Sequence, residues 1–375
     1  MIALLRATGA AGLMFAMACG SVASDNTVSA NYTSPEWQET CSLPSVTAGS
    51  KVIHDEQVTP VGDDEAAEKA DKPAASEGCR GCDSGPSFCS CWCGPTCYAS
   101  VGTVILHRSR PDSAVIATPP TGTLGTLVNA SDLNNFGWDN GVDATVGTRM
   151  SNGLIVEGRF FNDESAQATS AVDGVTTFRI AGIGVTVLGG GNLANTYNTD
   201  LDSGELNVGT AVTPGCTFFT GFRWIELHDQ LHIGLQGTGL NIATWDENNH
   251  MYGGQIGTNI LFTNPCSPFQ FTGTLKAGAF GDVADNDFTS SVVNSTRSHD
   301  NELSFVGEVD FTALYHVTQH VGVYGGYQVM WIDDVAIAGD QAPTTVQVAG
   351  GTSSPINTNG RVVYDGVTTG VDFTW

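Results

Sequence analysis

From about residue 97 to its last residue, Trp375, this chain switches between apolar and polar side chains at almost every step, and that period of two constrains its fold most. Successive side chains of an extended strand point to opposite faces, so such a segment has one apolar and one polar face. Leu303, Phe305, Gly307, Val309, Phe311, Ala313, Tyr315 and Val317 alternate with Ser304, Glu308, Asp310, Thr312 and His316. Phe269, Phe271, Leu275 and Ala277 alternate in the same way with Gln270, Thr272, Thr274 and Lys276. Before the turn Ser151-Asn152-Gly153, Val142, Ala144, Val146 and Met150 share one face; after it, Leu154, Val156 and Phe160 continue the pattern, as two strands of a hairpin require.

A β-sandwich would alternate too, so strand length and connection decide. The segments 97–107, 139–150, 154–162, 203–213, 217–228, 250–263, 269–282, 302–317, 320–333 and 361–375 exceed the ~5–6 residues usual in soluble sheets and suit a tilted membrane crossing. Their connections alternate in size. Residues 151–153, 213–216, 264–268 and 318–320 read as tight turns, whereas 108–138, 163–202, 229–249, 283–301 and 334–360 read as long loops. Short turns at one end and long loops at the other mark an outer-membrane barrel with its turns in the periplasm. The expected fold is an all-β, up-and-down antiparallel transmembrane barrel of about ten strands. If 176–188 and 231–245 add strands, the count becomes twelve.

Composition narrows the function classes. Charged residues make up 14% of the chain, against roughly 25% in soluble domains, and 46 of 375 residues are Gly. The net charge of -25 argues against nucleic acid, whose phosphates require clustered Lys and Arg. No run of 18 or more apolar residues follows the N-terminus, which excludes helical spans. The four tight turns carry no acid, while Asp163, Glu164, Asp173, Asp200, Asp202, Asp246, Glu247, Asp285, Asp287 and Asp340 fall in the long loops. An anionic outer rim is expected, with divalent cations as partners there. Tyr252, Phe262, Phe269, Tyr315, Tyr327 and Trp331 fall near strand ends on the apolar face, where interfacial girdles form.

Residues 1–23 read as an export signal, with Arg6, a small apolar core and Ser21-Val22-Ala23 before Ser24. Cys19 offers a competing lipid-anchor reading, against which stands Ala16 where a Leu is expected. Residues 24–78, rich in Pro, Ser, Ala and acids, read as a disordered periplasmic linker. Residues 79–96 form a cysteine-rich segment, after which 97–375 is the barrel. Cys79, Cys82, Cys89, Cys91, Cys93 and Cys97 contain no accompanying His and match no standard zinc spacing. An oxidising compartment favours disulfides there. Cys216 and Cys266, in neighbouring turns, form a candidate disulfide of their own, provided the hairpins lean together.

At the C-terminus Thr368, Gly370, Phe373 and Trp375 resemble the polar-x-Gly-x-x-apolar-x-aromatic signal by which bacterial barrels engage the barrel assembly machinery. An unpaired last strand offers free backbone groups for strand addition. The body as a whole resembles a large family of outer-membrane barrels abundant in planctomycete-type bacteria and of unassigned function. The resemblance rests on Phe136-Gly137-Trp138, Leu201-Asp202-Ser203-Gly204-Glu205-Leu206-Asn207 and Gly221-Phe222-Arg223-Trp224-Ile225-Glu226-Leu227. It continues through Tyr252-Gly253-Gly254-Gln255-Ile256-Gly257, Lys276-Ala277-Gly278-Ala279-Phe280-Gly281, Phe305-Val306-Gly307-Glu308 and Gly325-Gly326-Tyr327-Gln328. It implies an outer-membrane location and lipid as partner, and carries over no catalytic residue.

The usual hydrolase, zinc-protease, phosphate-loop and dinucleotide motifs are missing from the sequence. His228 and Asp229 are adjacent on a strand and so point to opposite faces, a poor catalytic dyad. The cluster Asp282, Asp285, Asn286 and Asp287 lacks the spacing of a calcium loop and reads as solvated. No enzyme activity, cofactor or bound metal is expected. Asp143, Arg149, Glu157, Arg159, Glu205, Lys276, Glu308 and Asp310 face the lumen with both signs of charge. In so narrow a barrel Glu157, Arg159, Lys276, Glu308 and Asp310 should form an ion-pair network instead of lining a conduit. The expected role is structural or surface-interactive, with a narrow cation-preferring pore as the alternative; the oligomeric state has no readable signal. Deleting Trp375 should deplete the heat-modifiable barrel from outer-membrane fractions, and an unchanged amount there would reject the assembly-signal reading.

Overall fold

The structure is a computed structural model that describes residues 96–120, 125–181, 183, 186–213, 215–237, 240–264 and 267–375. The signal, linker and cysteine-rich segments therefore lie outside the described residues, except for Thr96. Ten strands form the ring: β1 (Thr96–Arg108), β2 (Trp138–Arg149), β3 (Leu154–Ile180), β4 (Thr186–Thr213) and β5 (Cys216–Leu235), followed by β6 (Leu240–Leu261), β7 (Phe269–Thr289), β8 (Thr296–His316), β9 (Val321–Val335) and β10 (Gly360–Thr374). Each pairs antiparallel with the strands before and after it, and β10 pairs with β1 to close the ring. The fold is thus the expected up-and-down barrel, and the count is ten. Residues 176–188 and 231–245 contribute to the β3–β4 and β5–β6 hairpins and add no ring strands.

The strands are longer than a membrane requires. β4 spans 28 residues, about 90 Å along the chain at ~3.3 Å per residue, whereas a crossing needs only ~9–11. The expected loops at 163–202, 229–249 and 283–301 are mostly strand, a correction with a clear physical cause in β5. Phe218, Phe222 and Trp224 face outward, while Arg223 faces inward. Two residues higher the same alternation continues with its polarity reversed. Glu226, His228 and Gln230 face outward, and Ile225, Leu227 and Leu231 are buried inside. Trp224 pairs with Tyr252 and Glu226 with His250, so β6 reverses at the same level. On β9 and β10 the change comes between Trp331, paired with Val363, and Asp333, paired with Arg361. Below this level the wall faces lipid; above it the wall faces water and the interior becomes a hydrophobic core.

The two long loops that remain help to fill that core. Residues 109–137 contribute Ile116, Ala117, Val128, Leu133 and Phe136, and the β9–β10 connection contributes Ala338 and Ala342, all packed with Tyr197, Leu231, Trp245 and Phe288. The expected loop at 334–360 therefore turns inward, carrying α1 (Ala338–Gln341) and a small hairpin of Val346–Val348 with Gly351–Ser353. Asn249 anchors its start, donating to Ala336 O at 2.7 Å and accepting from Ala336 N at 2.8 Å. Trp245 Nε1 donates to Thr345 Oγ1 at 2.9 Å further along. At the opposite end the turn 151–153 closes through Gly153, whose φ of 83° is the left-handed conformation a Gly tolerates best. On the lipid face the Trp331 indole lies across Gly307, where an added Cβ would stand 2.0 Å from its ring.

The reversal predicts unequal tolerance of charge along one wall. Ile256→Arg, in the middle of the lipid-facing stretch of β6, should lower unfolding free energy in lipid vesicles by about 2–4 kcal/mol. Gln230→Arg, on the same outer surface above the reversal, should change it by about 0.5 kcal/mol or less. Equal losses in urea titrations would place the water boundary elsewhere.

Candidate functional site

Inside the membrane-spanning part, alternation directs every second residue of each strand to the lumen. Glu205 on β4 and Glu308 on β8 stand at its centre and are essentially inaccessible to solvent. Lys276 Nζ on β7 bridges them, 2.9 Å from Glu205 Oε1 and 2.9 Å from Glu308 Oε1. Arg159 on β3 places Nη1 2.8 Å from Glu308 Oε1 and spans Asp143 with Nε and Nη2, both at 3.1 Å. Arg223 on β5 donates to Glu308 Oε2 at 2.7 Å and to Ser203 Oγ at 2.9 Å. Gln255 and Asn207 donate to Glu205 Oε2 at 2.7 and 3.1 Å. The Phe161 ring lies 5.0 Å from the Arg159 guanidinium and 5.8 Å from that of Arg223.

Of the five residues expected to form a lumen network, Arg159, Lys276 and Glu308 are joined by direct ion pairs. Glu157 takes its bond from the Tyr98 hydroxyl at 2.7 Å instead. Asp310 lies beside the network with Oδ1 buried and without a hydrogen-bond partner. Sequence reasoning missed Arg223. The signal was available, because a charge between outward-facing Phe222 and Trp224 must point inward. Gln255, Asn207 and Gln328 carried no comparable mark, since an uncharged polar residue on a strand suits either face of a barrel end.

Directly above the charges lies a hydrophobic layer. Val104, Leu106, Phe161, Leu201, Ile225, Leu227, Met251, Phe280, Val306, Met330, Ile332, Val335, Val362 and Tyr364 form one buried cluster, capped by Ile337. Every ring strand except β2 contributes to it. Below the charges, toward the turns, a cavity of about 370 Å³ remains, with Tyr98, Asp143, Lys276, Asp310 and Gln328 among its walls. The lumen thus consists of an open cup, a charged layer and an apolar layer, followed by the loop-filled core.

The remaining expected sites are distributed as follows. Thr368, Gly370 and Phe373 lie on the closing seam, opposite Val104, Gly102 and Ala99. Trp375 completes the seam by exchanging backbone hydrogen bonds with Cys97, each at 2.9 Å. Cys266, the expected partner of Cys216, lies outside the described residues; Cys216 Sγ is 3.4 Å from Thr258 Oγ1. Alternation splits the acid cluster, with Asp282 and Asn286 buried inside and Asp285 and Asp287 outside beside His299 and Arg297. Among the described residues, no three or more His, Cys, Asp or Glu side chains are arranged to hold a metal. Of the acids assigned to the outer loops, Asp163 and Glu247 also turn inward and are buried. His228 and Asp229 do point to opposite faces. Asp229 pairs with Arg108 inside at 2.9 Å, while His228 meets Asp200 at 3.1 Å and Asp246 at 2.9 Å outside. Hydrogen bonds to these two carboxylates raise His228 to about 10 in spite of its partial burial.

A family model described as Putative beta barrel porin-7 (BBP7) matches residues 160–375. No curated protein is significantly similar in sequence. Among solved structures, the outer membrane protease OmpT from Escherichia coli is 10% identical over 75% of this chain and 97% of its own, with a TM-score of 0.47. The toluene transporter TbuX of Ralstonia pickettii is 9% identical over 75% and 89%, with a TM-score of 0.31. The anion-selective porin of Comamonas acidovorans is 10% identical over 75% and 99%, with a TM-score of 0.16.

The ion pairs generate a direct test of the network. Glu308 accepts hydrogen bonds from Arg159, Arg223 and Lys276, so removing its charge leaves these buried cations short of a partner. Glu308→Gln should cost roughly 3–5 kcal/mol in vesicle unfolding titrations, whereas exposed Arg149→Gln should change stability by about 0.5 kcal/mol or less. A near-neutral Glu308→Gln would remove the network from the account of stability.

Proposed function

The chain belongs to the beta barrel porin-7 family of outer-membrane barrels, and from that premise we propose that it is a sealed barrel with a structural or surface-interaction role and no catalytic one. The observation that carries this reading is the apolar layer across the lumen, backed by the inward-turned loops. An ion entering it would lose its hydration without gaining a polar partner, a cost of many kcal/mol for a bare charge. A ten-stranded ring also leaves much less lumen than the 16–18 strands of open aqueous channels.

The water-facing wall gives the reading its surface. Above the membrane Asp200, Glu226, Asp246, Asp285 and Asp287 all point outward, and their positive partners there are mainly His228, His250 and His299 rather than Lys. Such a belt at headgroup height suits divalent cations that bridge to anionic surface glycolipid. The seam position of Thr368, Gly370, Phe373 and Trp375 supports their use as the signal recognised by the assembly machinery, because the outer edge of the last strand is paired only when the ring closes. Planar-bilayer recording on the refolded full chain tests the sealed reading, with a silent membrane expected. Stable large-conductance steps would overturn it in favour of a pore, for which the acidic exterior predicts cation preference.

A further inference from the structure

We propose that the periplasmic cup of the lumen is a binding site for a small neutral saccharide, held at its closed end by Asp310 and Gln328. These two residues are cross-strand partners on β8 and β9, and both line the cavity. Asp310 Oδ1 and Gln328 Nε2 are each buried without a hydrogen-bond partner, and Gln328 is only 1% exposed. An acceptor and a donor thus stand unmet side by side, each normally costly to leave so. Opposed Cβ atoms on paired strands are ~4.5–5.5 Å apart, a span two neighbouring hydroxyls of one molecule can bridge. One hydroxyl donates to the carboxylate and the next accepts from the amide.

Charge on the cup wall argues for a neutral occupant. Asp143 is held by Arg159, Glu157 by Tyr98, and Lys276 by the two central glutamates, so these groups already answer one another, while Arg149 and Asp372, which also line the cavity, add one charge of each sign. A cation would satisfy Asp310 yet leave the Gln328 donor unmet, and an anion would accept from Gln328 yet bring no donor to Asp310 Oδ1. Much of the remaining wall consists of hydroxyls such as Ser100, Thr145 and Thr312. Tyr98 adds an aromatic surface and lies tightly on Gly147, where an added Cβ would come within 2.3 Å of its ring. The volume of about 370 Å³ falls at the small end of ligand sites, which run ~300–1,000 Å³. The cup opens at the end that carries the turns and both ends of the ring, the periplasmic side of such barrels.

The proposal goes beyond the sealed-barrel reading and relies on it only for the closed end of the cup. Its test is calorimetric titration of the full chain in detergent micelles with glucose, mannose and N-acetylglucosamine, with glycylglycine as the non-sugar control. Saturable binding of at least one sugar is expected, weakened tenfold or more by Asp310→Leu. Thr272→Trp, which fills the cup from β7 without touching the ion pairs, should abolish it while keeping the heat-modifiable barrel. Water-exposed His228→Gln should bind as the parent does. No saturable signal from any of the three sugars, undiminished binding by Thr272→Trp, or equal binding of glycylglycine would overturn the proposal. Bilayer silence without sugar binding removes the cup alone, whereas large conductance removes the sealed reading.

Discussion

A backbone N–H or C=O in hydrocarbon has no water to bond, so a strand that enters the membrane must be paired along both edges. The ring from β1 to β10 meets that demand by closing on itself, down to the two hydrogen bonds between Cys97 and Trp375. Once closure is imposed, the period of two divides all other choices. Lipid claims one face of every strand, which is why Leu275, Phe305 and Val323 lie exposed on the outside. Polar side chains are left with the lumen, where space is short. They are retained at low cost only if they satisfy one another, and Arg159, Arg223, Lys276, Glu205 and Glu308 do so.

The end of the lipid reverses these demands without changing the geometry. β5 keeps one parity from Thr217 to Leu235, yet the inward residues pass from Arg223 to Ile225 in a single step. Outside, Trp224 gives way to Glu226. The upper wall behaves like that of a water-soluble barrel, with its apolar residues inside and the loops 109–137 and 336–359 helping to complete the core. The apolar layer over the charges is therefore the lower edge of that core rather than a separate device.

This reversal also sets what could be read from the sequence. The lipid-facing half was legible, because outward Phe and Leu against inward Thr, Lys and Glu in β7 and β8 admit few other interpretations. The upper half was not: a pattern that flips phase at Glu226 resembles the end of a strand when only hydrophobicity is followed. Asp200 and Asp246 read as loop acids for the same reason, although they lie on strands and share one imidazole. The candidate site was partly legible. Its charges could be assigned to the lumen by parity, but which acid met which base depended on contacts across the barrel, such as Lys276 with Glu205, that no local pattern encodes. The inward path of residues 336–359 left only a weak trace, since Ala336, Ile337 and Ala338 are too few to register as a core segment.

The order of the layers has its own logic. Hydrophobic contacts in the upper core are non-directional and tolerate many relative placements of opposite walls. The ion pairs do not. Arg159 joins β3 to β8, Arg223 joins β5 to β8, and Lys276 ties β7 to β4, so each is a chord between strands that are not neighbours in the ring. Backbone pairing fixes each strand against the next but leaves the cross-section free to flatten. Chords with defined lengths and donor directions remove that freedom, and the dry layer above strengthens them by keeping water from competing. Glu308 receives two of these chords, from β3 and β5, together with a bond from Lys276 on the neighbouring β7, and is therefore the point about which the cross-section is set.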